Sequence, residues 1–150
     1  MPKKNNSSSI YSVSENLYKK QDKEGAGAGS GVEYKSGLDV IRVPSSKGNK
    51  KHKIPGIKSG RLIQLMSNLE RDTFLFFDLS KNVKDIREQF PLDRSITLAI
   101  AEKLGIGHPK GIDAHTGLPM AIRMTTDLLI DYVDEDKKGN YSALSKGILQ

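Results

Sequence analysis

A chain of 150 residues is long enough for one hydrophobic core and too short for two comfortable domains. It has no cysteine, which excludes disulfides and thiolate metal sites, and its 24 basic and 18 acidic residues leave a net charge of +6, the sign that suits a polyanion such as nucleic acid. No stretch approaches the ~20 apolar residues of a membrane span, and the lysine-bearing N-terminus lacks a signal peptide's apolar run. A soluble, intracellular protein with no membrane partner is expected.

Residues 1–9 are polar and serine-rich, a composition that favours disorder. Ile10, Val13 and Leu17 give the next stretch a weak helical pattern as far as Lys23. "EGAGAGSG" follows; its Gly-x-Gly-x-Gly spacing and the absence of a preceding apolar strand favour a flexible linker over a phosphate-binding loop. The chain thus divides into an N-terminal segment, 1–32, and one domain, 33–150.

"LDVIRV" (38–43) alternates like a strand or extended arm. The segment after it carries Lys47, Lys50, Lys51 and Lys53. It reads equally as a solvated loop or as an arm along a DNA backbone, where clustered cations gain affinity by releasing phosphate counterions.

From Gly60, "GRLIQLMSNLERDTFLFFDLS" shows helical spacing through Leu62, Leu65, Met66, Leu69, Thr73 and Phe76. A neighbouring row, Ile63, Met66, Glu70, Phe74 and Phe77, places Glu70 inside an apolar stripe. A carboxylate there needs a cation, a hydrogen-bond donor or a metal. "NVKDIREQFPL" reads as a strand stopped at Pro91. "DRSITLAIAEKLG" reads as a helix capped by Asp93 or Ser95 and closed by Gly105, with Ile96, Ala99, Ile100 and Leu104 as its stripe. "IDAHTGLPM" is expected as loop, "AIRMTTDLLIDYV" as a strand, "DEDKKGN" as a turn and "YSALS" as the returning strand.

Glu70, Asp127 and Lys146 are the groups that could do chemistry. Asp127 stands out because "TTDLLI" otherwise belongs in a sheet. Two carboxylates can hold Mg²⁺ through hard oxygen ligands, and an ammonium can orient water or offset charge on phosphorus. Two acids and a lysine also occur in proteins with no such activity. His108, before a proline, suits a capping or loop role, and His52 and His115 have no acid or histidine at ligand spacing.

"GRLIQLMSNLERDTF", "DIREQFPL", "AEKLGIGHP" and "MTTDLLID", in this order, resemble the TnsA family, the endonuclease subunits of heteromeric bacterial cut-and-paste transposases. The resemblance extends over "VPSSKGNKKHK" and "KSGR", from about Tyr11 to Lys146. It implies an α/β, restriction-endonuclease-like mixed sheet with flanking helices. It also implies a Glu…Asp…(Gln or Ser)-x-Lys site falling on Glu70, Asp127 and Lys146, with Glu70 and Asp127 as ligands of Mg²⁺ (Mn²⁺ as substitute). The implied reaction is hydrolysis at the 5′ ends of a transposon. The implied partners are double-stranded DNA at those ends, a DDE-type transposase subunit and an AAA+ ATPase regulator, in the bacterial cytoplasm at the nucleoid.

The last strand departs from that pattern. Ala143, Leu144, Ser145 and Lys146 read one residue short, with Leu144 where a Gln or Ser is expected if the strand is in register. The chain also ends before the further helix and strand that the fold needs, so a truncated catalytic domain is expected. The alternative to an active nuclease is an inactive DNA-binding or assembly remnant of the same family.

Overall fold

The computed structural model describes residues 13–37 and 50–145. The disorder expected for 1–9, the strand expected at 38–43, Lys47 and Lys146 lie outside the described residues. In chain order the elements are α1 (Glu15–Lys23), a 3-10 turn (Gly31–Glu33), β1 (His52–Pro55), β2 (Leu62–Leu65), α2 (Asn68–Asp78), β3 (Val83–Pro91), α3 (Arg94–Leu104), β4 (Lys110–Ile112), β5 (Pro119–Ala121), β6 (Thr125–Val133) and β7 (Gly139–Leu144).

The central sheet is antiparallel, in the order β3-β6-β7, with β1-β2 and β4-β5 as separate antiparallel pairs and one parallel bridge, Val13 to Asp113. This is the expected α/β class, helices flanking a sheet, consistent with a restriction-endonuclease-like arrangement. Ile63, Leu65, Phe74, Val83, Ile86, Leu128 and Ile130 form the core, with Ile54, Phe77, Tyr132 and Leu144 packed against it. No helix among the described residues is long and apolar enough to cross a membrane.

The helix expected from Gly60 is in fact a strand followed by a helix. Ile63 and Leu65 are fully buried while Leu62, at the start of the strand, is 59% exposed, a period of two. The helix starts at Asn68 because Ser67 caps it, its hydroxyl accepting from Glu70 N at 3.2 Å. From Glu70 onward the second row holds: Glu70 and Phe74 are buried and Phe77 packs on the core. The "IDAHTGLPM" loop likewise contains the end of β4 and the start of β5, which pair from Lys110↔Ala121 to Ile112↔Pro119.

β3 forms where expected; of the strand expected over 121–133, β6 takes Thr125–Val133 while Ala121 ends β5, and β7 begins at Gly139, inside the expected turn. α3 also has its expected limits: Asp93 accepts from Ile96 N at 3.1 Å, and Gly105, at φ 66°, closes the helix in the left-handed conformation. Its stripe is different. Ile96, Ile100 and Leu104 face solvent, and Ala101 is the buried residue of that helix.

The glycine-rich stretch forms a closed loop on the sheet. Gly27 N–H donates to Lys35 O at 2.7 Å, and Gly37 N–H donates to Gln89 O at 2.9 Å. Gly27 has φ 83°, and a Cβ there would meet Pro91 Cγ at 2.6 Å, so both backbone and space call for glycine.

Candidate active site

Glu70 occupies the third position of α2. Ser67 and Glu70 cap one another: Glu70 N–H donates to Ser67 Oγ, and Ser67 Oγ lies 3.2 Å from Glu70 Oε1. Glu70 Oε2 accepts from Met66 N at 3.0 Å and from Gln89 Nε2 at 3.2 Å. Neutral donors among the described residues, two from the helix start and one from β3, thus meet part of the need that burial imposes.

β3 reaches Glu70 through an irregular residue. In a regular strand Glu88 and Gln89 would point to opposite faces. Gln89 instead has φ 46°, and both side chains are buried, 0% and 2% exposed. Glu88 meets Arg61, while Gln89 turns to Glu70 and its Oε1 accepts from Thr125 Oγ1 at 3.4 Å.

Asp127 lies in β6, half-buried. The pairs Glu88↔Leu128 and Phe90↔Thr126 place it across the strands from Gln89. Gln89 thus bonds one expected carboxylate and stands opposite the other. On the far side of β6, Leu144 pairs with Leu128 and joins the core, and its carbonyl accepts from Thr126 Oγ1 at 2.8 Å. One further step of this register aligns Asp127 with Ser145.

Among the expected DNA-contacting lysines, Lys50 and Lys53 are exposed and Lys51 half-buried. His52 Nε2 lies 2.7 Å from Asn68 Oδ1, tying this basic run to the first turn of α2. The strand that carries Lys53 is therefore joined to the helix turn that carries Glu70. His108 has the loop role expected of it, with Thr97 Oγ1 and Pro109 O each 2.9 Å from its ring nitrogens.

An open cavity of about 510 Å³ lies elsewhere, lined by Asp22, Asp93, Arg94 and Arg123 among others. Its arginines are already paired, Arg94 with Glu15 and Arg123 with Asp22 at 2.6 Å each, and both lie against the Tyr18 ring. The Arg94 guanidinium holds the Glu15 carboxyl below its ordinary value. Chemistry is better sought at Glu70, Gln89 and Asp127, because carboxylates and amides, unlike those engaged guanidiniums, suit a hard cation.

No group of three or more His, Cys, Asp or Glu residues converges among the described residues. A pair of carboxylates still suits Mg²⁺, which keeps several waters and commonly takes one or two protein carboxylates plus substrate phosphate. Gln89, with Arg87 and Glu88, stands out in the sequence only as a polar residue inside a strand, suited to a structural network and not to the site. The backbone turn that aims it has no signature in the sequence.

Comparison with known proteins agrees with this architecture. Residues 80–145 match the family model described as TnsA-like endonuclease N terminal. The chain is 42% identical over 125 residues to the transposon Tn7 transposition protein TnsA of Escherichia coli. The match covers 82% of the chain and 42% of that protein, so the chain spans less than half of the relative's length. The chain is thus similar to the TnsA-like endonucleases, over residues 80–145 by the family model and over 125 residues by this relative.

Proposed function

We propose that this chain is the metal-dependent DNA endonuclease subunit of a transposase, hydrolysing phosphodiester bonds at the 5′ ends of a transposon during excision. The observation that carries the reading is the placement of Glu70 and Asp127 about one residue, Gln89: bonded to the first and across the strands from the second. Those two carboxylates would hold Mg²⁺, or Mn²⁺ in its place; when bound, the cation supplies a Lewis acid for a phosphoryl oxygen and acidifies a water.

The chain's own residues do the rest. Ser67 and Met66 N fix the Glu70 carboxylate, so its orientation is set before substrate arrives. Lys50, Lys51 and Lys53, with Lys47, would neutralise DNA phosphates leading toward that turn. Lys146 would offset charge developing on phosphorus. The partners implied by the family resemblance are a DDE-type transposase subunit and an AAA+ ATPase regulator.

The test is nicking of transposon-end DNA with the partner transposase and Mg²⁺ or Mn²⁺. Asp127→Ala is expected to lower cutting about 1000-fold, since a lost ligand removes several kcal/mol of transition-state stabilisation. Unchanged cutting would remove Asp127 from the site.

Leu144 favours a second reading. It joins the core at the position where the family pattern puts Gln or Ser, which suits an inactive DNA-binding or assembly remnant. Salt-sensitive DNA binding with no cleavage in either metal would select that reading.

A further inference from the structure

We infer that Gln89 is a positioning residue of the site, holding the Glu70 carboxylate in the orientation in which it shares a cation with Asp127. The inference rests on the reading of Glu70 and Asp127 as the metal-holding pair.

The first ground is backbone conformation. Gln89 has φ 46° inside β3, a left-handed region that is strained for a residue with a Cβ. Among the described residues the other non-glycine with positive φ is Lys137, in the exposed turn between β6 and β7. Gln89 is 2% exposed, and the surrounding structure maintains its conformation: its carbonyl accepts from Gly37 N at 2.9 Å, and the strand pairs normally on both sides.

The second ground is what the side chain reaches. At this position the side-chain amide reaches α2, donating to Glu70 Oε2 at 3.2 Å. Thr125 Oγ1 occupies Oε1, which directs Nε2 to Glu70. The amide therefore has a defined orientation with a donor facing the carboxylate. An amide suits this task better than a cation would. It orients Glu70 without itself bringing a charge that would compete with a metal. Arg87, two residues earlier, is instead kept apart, with Phe90 and Tyr141 under its guanidinium.

Gln89→Gly separates positioning from folding, because glycine adopts φ 46° without strain. Mn²⁺ binding to the full chain is measured by calorimetry for wild type, Gln89→Gly and Asp127→Asn, with melting temperatures alongside. The affinity of Gln89→Gly is expected to fall about tenfold, the usual loss when a residue orienting a metal ligand is removed, while Asp127→Asn loses binding altogether. Thr125→Val, which frees the amide to rotate, is expected to fall between wild type and Gln89→Gly.

Wild-type affinity in Gln89→Gly, with binding lost in Asp127→Asn, would overturn the positioning role and leave the metal pair intact. Equal Mn²⁺ binding, or none, in wild type and Asp127→Asn would overturn the metal pair and the inference with it. Should Gln89→Gly melt lower, it is compared with Phe77→Leu, a core variant distant in chemistry from the site. An equal loss of Mn²⁺ affinity at equal melting temperature would reduce Gln89 to packing and overturn the inference.

Discussion

Arg61 and Glu88 meet fork to fork beneath the N-terminal loop: Nη1 donates to Oε1 at 2.8 Å and Nη2 to Oε2 at 2.6 Å, with the Glu88 side chain 1% exposed. Arg61 also donates to the carbonyls of Gly31 and Ile86 and lies 4.7 Å from the Tyr34 ring centre. Three parts of the chain are joined at this pair: the loop at Gly31–Tyr34, the turn leading into β2, and β3.

Removing one partner strands the other charge. Arg61→Ala is expected to cost about 3–5 kcal/mol, because an uncompensated buried carboxylate is far more costly than a missing ion pair. Glu88→Gln, which keeps the shape and an acceptor oxygen for the guanidinium, should cost less. Urea denaturation of both variants checks the order. A smaller loss for Arg61→Ala would mean that Glu88 is reached by water.

Tyr34 gives the fold an alkaline limit. Its hydroxyl donates to Glu88 O at 2.9 Å, and burial first, then the Glu88 charge, pushes its ionisation far above the ordinary value of 10.0. The unfolded chain ionises near that ordinary value while the folded one stays protonated. Stability from this group is therefore full below about pH 10 and falls as pH rises from there toward the folded value. Tyr34→Phe should lose about 1 kcal/mol at neutral pH through the missing hydrogen bond, and its stability should decline less steeply above pH 10. Parallel alkaline slopes in denaturant titrations would contradict the assignment.

Ser67 serves both the helix and the site. Ser67→Ala is expected to lower stability by about 1 kcal/mol, the usual loss of an N-cap, and to weaken Mn²⁺ binding because Glu70 loses one of its donors. Ser67→Asn, which can still cap, should recover the stability. Thermal melts and calorimetry on the two variants separate these effects.

Gly105 tests a position where only backbone conformation matters. It has φ 66°, and a Cβ added there would have no neighbour within 4 Å, so Gly105→Ala meets no steric obstacle. The strain of a Cβ in the left-handed region should alone cost about 1–2 kcal/mol. A neutral substitution, read by urea denaturation, would mean that the end of α3 unwinds at little cost.

The elements most legible in the sequence have strong local signals. Asp93 and Gly105 bracket α3, and the acid-rich turn at 134–138 divides two alternating strands. The run "RLIQLM" is ambiguous because Ile63, Leu65 and Met66 satisfy both a strand and a helix period; the Ser67–Glu70 capping box is the signal that marks the true start of the helix. The exposed stripe of α3 shows the opposite limit, since periodicity tells which residues share a face but not what covers it.

Glu70 is legible as a carboxylate needing partners, though not which ones. Asp127 is legible as an acid in a sheet, and the β3–β6 register then sets it across from Gln89. Gln89 is illegible because its place depends on one left-handed dihedral held by tertiary packing.

Titration of the isotope-labelled full chain with substoichiometric Mn²⁺, followed through amide NMR signals, tests the central claim most directly. If Glu70 and Asp127 hold the cation, the amides of Met66–Glu70, Glu88–Phe90 and Thr126–Leu128 broaden first, and Asp127→Asn abolishes the effect. Broadening first at the other acidic group, Asp134, Glu135 and Asp136, with those amides left sharp, would contradict it.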